Sequence, residues 1–258
     1  MSLIKKMIRK VQNSDLDSRR LSEINIKIEN ELDEFDFSKV VVRKPWGHEY
    51  LAYREEGVSI WILHIKKDAA TSTHCHLDKR TDLLVLSGHV VCTTLEKKID
   101  LVEGDLLILN KKVFHSTKAA SESVLVMEIE FPSKKTDLVR LNDSYGREKK
   151  GYEKQKDMCF DLSEYQRVFL NGTDLNRMIG NMNLSIEEFD DIKGLKDYLK
   201  RNDSLLDVFI TGEIRINNDE SIISVGDALK LEDLKQENIE ITKPIKVLNI
   251  KKNILDFD

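Results

Sequence analysis

Between residues 58 and 131 the chain carries four short runs rich in aliphatic and β-branched residues: VSIWILHIKK, DLLVLSGHVVCTTL, KKIDLVEGDLLIL and SVLVMEIEF. Polar, turn-forming stretches separate them. Strands at this spacing bury one face each and close on one another as a sandwich or barrel. Similar runs return near the C-terminus as VFITGEIRI, SIISVGDALKL and IKVLNIKK. Between the two sets, LSIEEFDDIKGLKDYLKR at 184–201 reads as helical, and FPSKKTDLVRLNDSYGREKKGYE at 131–153 reads as a polar connection. Residues 1–38 are polar and charged. Their RRLSEINIKIENELDEF stretch predicts a short helix, a cap on the fold or a dimer contact.

The two β-rich blocks echo each other. LLVLSGHVVCTTLEKKIDLVEGDLLIL is matched by LLDVFITGEIRINNDESIISVGDALKL, with Gly88 against Gly212 and Gly104-Asp105 against Gly226-Asp227. A difference of two residues in a hairpin turn is ordinary, so the echo implies two barrels of one kind. The expected organisation is an N-terminal segment 1–38, a first barrel 39–133, a connection 134–183 and a second domain 184–258. A chain of 258 residues is long enough for this.

Composition excludes several classes. The net charge of −5 argues against a nucleic-acid-binding surface. No apolar run approaches the roughly 20 residues of a membrane helix. MSLIKKMIRK is basic but has no apolar signal core, and Cys75, Cys92 and Cys159 follow no disulfide spacing. A soluble protein with reduced thiols in the cytoplasm is expected.

All six histidines lie between residues 48 and 115. His74 and His76 are two apart, so on a strand both rings face the same side and Cys75 points away. With His115 they make three imidazoles, a donor set for a divalent metal: zinc, iron, manganese or nickel.

These residues resemble the cupin family. His74-Cys75-His76, followed at the family's spacing by Gly88, is similar to its first motif. Gly104 and His115 fall in register with its second, with Asn110 and Lys112 where proline and glycine are usual. Upstream, Val42-Arg43-Lys44-Pro45-Trp46-Gly47-His48-Glu49-Tyr50 resembles the opening of the cupin domain in type II mannose-6-phosphate isomerases. The likeness spans residues 40–132; the second half matches only as a degenerate second cupin. It implies an all-β bicupin of two jelly-roll barrels, in a homodimeric enzyme of surface or capsular polysaccharide synthesis. The family's glutamate ligand is replaced by Thr81, a poor ligand, which leaves His74, His76 and His115 to hold the metal. In the second domain the same register places Tyr198, Lys200 and Glu237 at the histidine positions, which implies no imidazole-ligated metal there.

Around the expected mouth stand Arg43, Lys44, Lys79, Arg80, Lys111, Lys112 and Lys118. Guanidinium and ammonium groups bind phosphate or carboxylate by charge-assisted hydrogen bonds, so a sugar phosphate or nucleotide sugar is the expected substrate. Arg43, Trp46, Lys79, Arg80, Thr81 and Lys118 are the candidate substrate contacts, Trp46 by stacking on a sugar face or else by core packing. His48, His64 and Asp82 are the candidate proton movers for an isomerisation or epimerisation. A bulge would be needed to turn Asp82 inward. Arg140, Asp143, Tyr145, Arg147, Tyr152 and Glu153 either fold over the mouth or form an interdomain strap. Two alternatives stand beside the isomerase: a three-histidine iron dioxygenase, and a non-catalytic sugar-binding or regulatory module.

Overall fold

The computed structural model describes residues 7–24, 35–55, 57–147, 152–170, 177–201, 203–216, 221–235 and 237–253. The chain divides into two units, Met1–Arg167 and Val168–Asp258.

The first unit contains β1 (Ile8–Val11), β2 (Val41–Lys44), β3 (Gly47–Glu55), β4 (Val58–Lys66), β5 (Thr73–Cys75), β6 (Arg80–Ser87), β7 (His89–Thr94), β8 (Lys98–Val102), β9 (Leu106–Leu109), β10 (His115–Ala119), β11 (Ser123–Phe131), β12 (Val139–Asn142) and β13 (Met158–Cys159). One sheet runs β1-β9-β6-β11-β4-β3-β2-β13, the other β12-β5-β10-β7-β8. Side chains from both sheets, among them Trp61, Val85, Leu107 and Val126 from the first and Val90, Cys92, Leu101 and Ala119 from the second, meet in one apolar cluster. Two sheets, antiparallel except where β1 joins β9, pack on a shared core and form the all-β jelly roll that the resemblance implies. The alternation is clean in β8, where Ile99 and Leu101 are buried between exposed neighbours.

The chain passes from one sheet to the other at Gly88, whose φ is +87°. A Cβ there would lie 2.7 Å from the Ser123 carbonyl oxygen. The N-terminal segment belongs to this unit. β1 pairs in parallel with β9, and the helix Asp15–Ser22 starts on a Ser14–Asp17 capping box. The rest of the expected N-terminal helix, 25–34, lies outside the described residues. The expected connection 134–183 also proves to be largely part of the first unit: β12 extends one sheet beside β5, and β13 extends the other beside β2.

The second unit has β14 (Arg177–Ile179), β15 (Met182–Phe189), a helix (Ile192–Arg201), β16 (Leu206–Ile216), β17 (Ser221–Ser224), β18 (Ala228–Leu229) and β19 (Ile239–Lys252). The expected helix at 184–201 is therefore a strand followed by a helix. In LSIEEF the helix-favouring glutamates are outweighed by pairing of β15 with β19 along its whole length; tertiary context overrides local propensity.

The sequence echo reappears as geometry. Leu83 pairs with Leu107 and Asp207 with Leu229; His89 pairs with Val102 and Glu213 with Ser224. The turn bonds repeat as well: the Gly104 N–H donates to the Val85 oxygen at 2.9 Å and the Gly226 N–H to the Phe209 oxygen at 2.8 Å. Two things differ. β16 continues through Gly212 without breaking, so the described residues of this unit form one sheet (β14-β15-β19-β16-β17, with β18 on β16) rather than two facing ones. The position of β5, counted back from Gly212, falls on the helix. Tyr198 and Lys200 are thus helical, and the Tyr198 hydroxyl donates to the buried Asp207 at 3.2 Å.

Gly212 has φ +81°, and a Cβ there would lie 2.2 Å from the Pro244 carbonyl oxygen; Gly57 has φ +83° but open space around it. Gly212→Ala is expected to lower the unfolding free energy of the second unit by about 2–4 kcal/mol, from steric overlap added to backbone strain. Gly57→Ala, with strain alone, is expected to cost about 1 kcal/mol. Urea unfolding of the two variants beside the parent checks the difference.

Candidate metal centre and its charged pocket

β5 and β10 are neighbours, and His115 pairs with His74. His76 leaves the end of β5 on the same side, so the three rings converge. Ring centroids are 4.5 Å apart for His74–His115, 5.0 Å for His74–His76 and 5.6 Å for His76–His115. All three residues are buried, and one ligand atom from each lies within 4.8 Å of the others.

Backbone carbonyls set the tautomers. His74 Nδ1 donates to the Ser72 oxygen at 2.8 Å, His115 Nδ1 to the Val113 oxygen at 3.0 Å, and His76 Nδ1 to the Asp137 oxygen. Each ring therefore presents Nε2 as a lone pair. Burial pushes all three pKa values down; repulsion between protonated forms of His74 and His115 lowers His74 further, Lys79 lowers His76, and His115 falls to about 4. The rings are neutral near pH 7. His76 Nε2 is buried with no hydrogen-bond partner. An orphaned imidazole nitrogen beside two more neutral rings fits a divalent cation; His74, His76 and His115 would hold it. Thr81 lies on the inward side of β6, opposite Glu130, and its hydroxyl is also buried and unpartnered.

Two supports escape sequence reasoning. Asp137 accepts the N–H groups of Leu77, Asp78 and Lys79 on its carboxylate, at 2.8, 2.8 and 3.0 Å, clamping the turn after His76. Asp17 accepts the Phe114 N–H at 3.0 Å, next to His115.

The metal-side pocket continues inward over a charged cluster. Lys135 reaches Glu49, Glu128 and Glu130 at 3.4, 3.1 and 3.3 Å. Lys79 meets Glu130 at 2.6 Å, Lys44 meets Glu49 at 3.2 Å and also Glu153, and Arg140 and Arg147 meet Glu153 at 3.1 and 2.6 Å. Arg147 also holds Asp143 at 2.7 Å. Arg140 Nε reaches the Ser72 hydroxyl at 3.3 Å, beside the carbonyl that orients His74. Arg140, Arg147 and Tyr152 thus line the pocket with His74 and His76, while Tyr145 is exposed. The carboxyl groups diverge. Burial pushes all of them up, but Lys135 and Lys44 overcome this at Glu49, leaving it at about 2, and Lys135 and Lys79 overcome it at Glu130. At Glu128 burial wins and the pKa is raised. The open space is small, about 40 Å³.

The remaining sequence candidates divide by strand face. Trp46 and Lys79 line the pocket. Arg43, His48 and His64 are cross-strand partners on the opposite face from Glu49 and Leu63. Arg43 is exposed and reaches Cys159 Sγ at 3.0 Å, His48 stacks edge-on with His64, and His64 Nε2 bonds Ser123 at 2.9 Å. Asp82 faces away from Thr81, and its carboxylate takes both arms of Arg80 at 2.9 and 2.6 Å; no bulge turns it inward, since the register shift in β11·β6 falls at Leu125/Val126. Lys118 is exposed, 4.0 Å from Asp68. His48, His64 and Asp82 therefore stand outside the pocket.

No protein-family model and no curated protein matches the chain. Among solved structures it is similar to KdgF from Halomonas sp., at 18% identity over 40% of this chain and 92% of that one, with a TM-score of 0.36. It is also similar to a sugar phosphate isomerase from a cupin superfamily of Silicibacter pomeroyi DSS-3, at 11% identity over 33% and 59% of the two chains, TM-score 0.32. The capsular polysaccharide assembling protein CapF of Staphylococcus aureus matches at 15% identity over 43% and 34%, TM-score 0.35. At these distances the likenesses carry nothing about substrate or reaction.

The histidines make stability depend on pH with a definite sign. Unfolded, His115 titrates near 6.5; folded, near about 4. The unfolded chain binds the extra proton in that window, so stability is full above pH 6.5 and falls toward pH 4. His115→Ala is expected to remove on the order of 3 kcal/mol of that pH-dependent loss, read from chemical unfolding at stepped pH. The same substitution is expected to abolish stoichiometric binding of Zn²⁺, followed by elemental analysis and calorimetry of untagged protein.

Proposed function

We propose that the first unit is a metal-dependent cupin-type enzyme that moves a proton on a compact anionic sugar, as an isomerase or epimerase. One observation carries this reading: three neutral imidazoles converge on a common point, and two of them, His74 and His76, line the same pocket as Glu128, a carboxyl group whose pKa is raised by its burial. Carboxyl groups pushed apart in pKa within one site are the signature of an acid–base assignment.

A divalent ion at His74, His76 and His115 would supply Lewis-acid polarisation of a substrate carbonyl or hydroxyl oxygen. Everything else falls to the chain's own side chains. Glu128, whose pKa burial raises, is the carboxyl we assign to the proton transfer. Glu49 and Glu130 stay ionised and fix the Lys135 ammonium against it. The five cations Lys44, Lys79, Lys135, Arg140 and Arg147 face the five carboxyls Glu49, Glu128, Glu130, Asp143 and Glu153. Lys79, Lys135 and Arg140 on the pocket lining favour an anionic ligand or a developing enediolate.

Cavity size favours one of the two expected substrate classes. About 40 Å³ holds an ion with roughly three waters, or the reacting end of a small molecule. A sugar phosphate therefore fits the proposal better than a nucleotide sugar. The likeness of Val42–Tyr50 to type II mannose-6-phosphate isomerases points the same way. We place the protein in the cytoplasm as a homodimer, in surface-polysaccharide synthesis. Its cysteines are free and buried, and among the described residues no helix is long and apolar enough to cross a membrane.

Incubation of the metal-loaded protein with mannose 6-phosphate or fructose 6-phosphate in deuterated water is expected to incorporate deuterium next to the carbonyl carbon. Glu128→Gln is expected to slow that exchange by about 100-fold or more. Oxygen uptake matched to turnover would instead establish the dioxygenase. Ligand-induced stabilisation with no exchange and no oxygen uptake would establish the non-catalytic module.

A further inference from the structure

The first unit contains a second and roomier cavity, of about 230 Å³, against about 40 Å³ on the metal side. Phe37, Leu51 and Trp61 form its apolar wall, and Arg54, Lys134 and Lys135 supply cations. Phe37 and Trp61 meet edge to face at 5.2 Å, so this wall is rigid.

The cations are not equivalent. Lys135 is already shared among Glu49, Glu128 and Glu130, and Lys134 pairs with Asp78 at 2.8 Å. Arg54 is exposed and has no ion-pair partner among the described residues. It stands two residues after Ala52, at the end of β3, where it pairs with Ser59 of β4. Ser133 adds a hydroxyl to the lining. A planar guanidinium beside an aromatic wall and a hydroxyl recognises one oxyanion carried on a compact, flat body.

We propose that this cavity is a second ligand site, distinct from the histidine centre, for a small organic oxyanion: a carboxylate or a phosphate ester gripped by Arg54 with its body against Trp61. Lys135 lines both cavities, so an occupant of the outer one lies a single ammonium away from Glu128 and Glu130. The site stands on its own lining residues and does not depend on the metal-centre reading.

Benzoate and phenyl phosphate serve as probes, one for each head group. In a Trp46→Phe protein the remaining indole is Trp61, and its fluorescence is expected to change saturably with at least one probe. The tighter of the two assigns the head group. Arg54→Ala is expected to weaken binding by ~10-fold, with Arg54→Lys in between. His115→Ala is expected to leave it unchanged. Calorimetry on the parent chain supplies the same constant should Trp46→Phe not fold. No saturable binding of either probe overturns the proposal; so does affinity indifferent to Arg54→Ala, or affinity lost with His115→Ala, which would put the probes in the metal-side pocket.

Discussion

Charge balance inside the first jelly roll is the condition on which the rest stands. A barrel of this kind is ordinarily filled by apolar side chains. Here one end of the interior holds five cations and five carboxyls, nearly all beyond the reach of solvent. Removing one partner from a buried ion pair leaves an uncompensated charge and costs about 3–5 kcal/mol. The cluster therefore tolerates only coordinated change. Its centre is Lys135, which touches three carboxylates and also lies over the Trp61 ring at 4.0 Å. That placement keeps polar space open beside the histidines and sets Glu128 apart from Glu49 and Glu130.

The histidine centre is held by backbone rather than by side chains. Carbonyls of Ser72, Val113 and Asp137 take the three Nδ1 protons, so the ring orientations follow from the path of the main chain. Residues far away in sequence set that path. Asp137 clamps the turn after His76, and Asp17 of the N-terminal helix holds the Phe114 amide. The cost of holding neutral imidazoles in a dry site is pH sensitivity, and the lone pairs they retain are what a metal requires.

The second unit shows the same strand plan with a different filling. Its pairing repeats that of the first, position for position, across β16, β17 and β18. A helix occupies the chain positions equivalent to β5, and β16 continues, with shifts of register against β19 around Gly212, where the first unit breaks at Gly88. Asp207 then satisfies Tyr198, Ser204, Asn249 and the Leu231 amide, a closed hydrogen-bond set.

The amino-acid sequence by itself determined the class and the centre. Alternating apolar runs with glycine turns specify strands, and His74, His76 and His115 share one face because side chains alternate along a strand. The glycine echo between the halves was legible for the same reason: a backbone forced to positive φ leaves its mark as a residue type. Tertiary structure alone decided the surroundings. Face parity on β2, β3, β4 and β6 sends Arg43, His48, His64 and Asp82 away from the pocket, and the same parity on β3 and β11 brings in Glu49, Glu128 and Glu130, which look in the sequence like ordinary strand glutamates. Lys135, Arg140 and Glu153 sit in a stretch whose composition reads as linker. Beside near partners such as Glu128 and Glu130, each has a distant one: Glu49 for Lys135, Ser72 for Arg140 and Lys44 for Glu153. No local pattern records that part of the compensation.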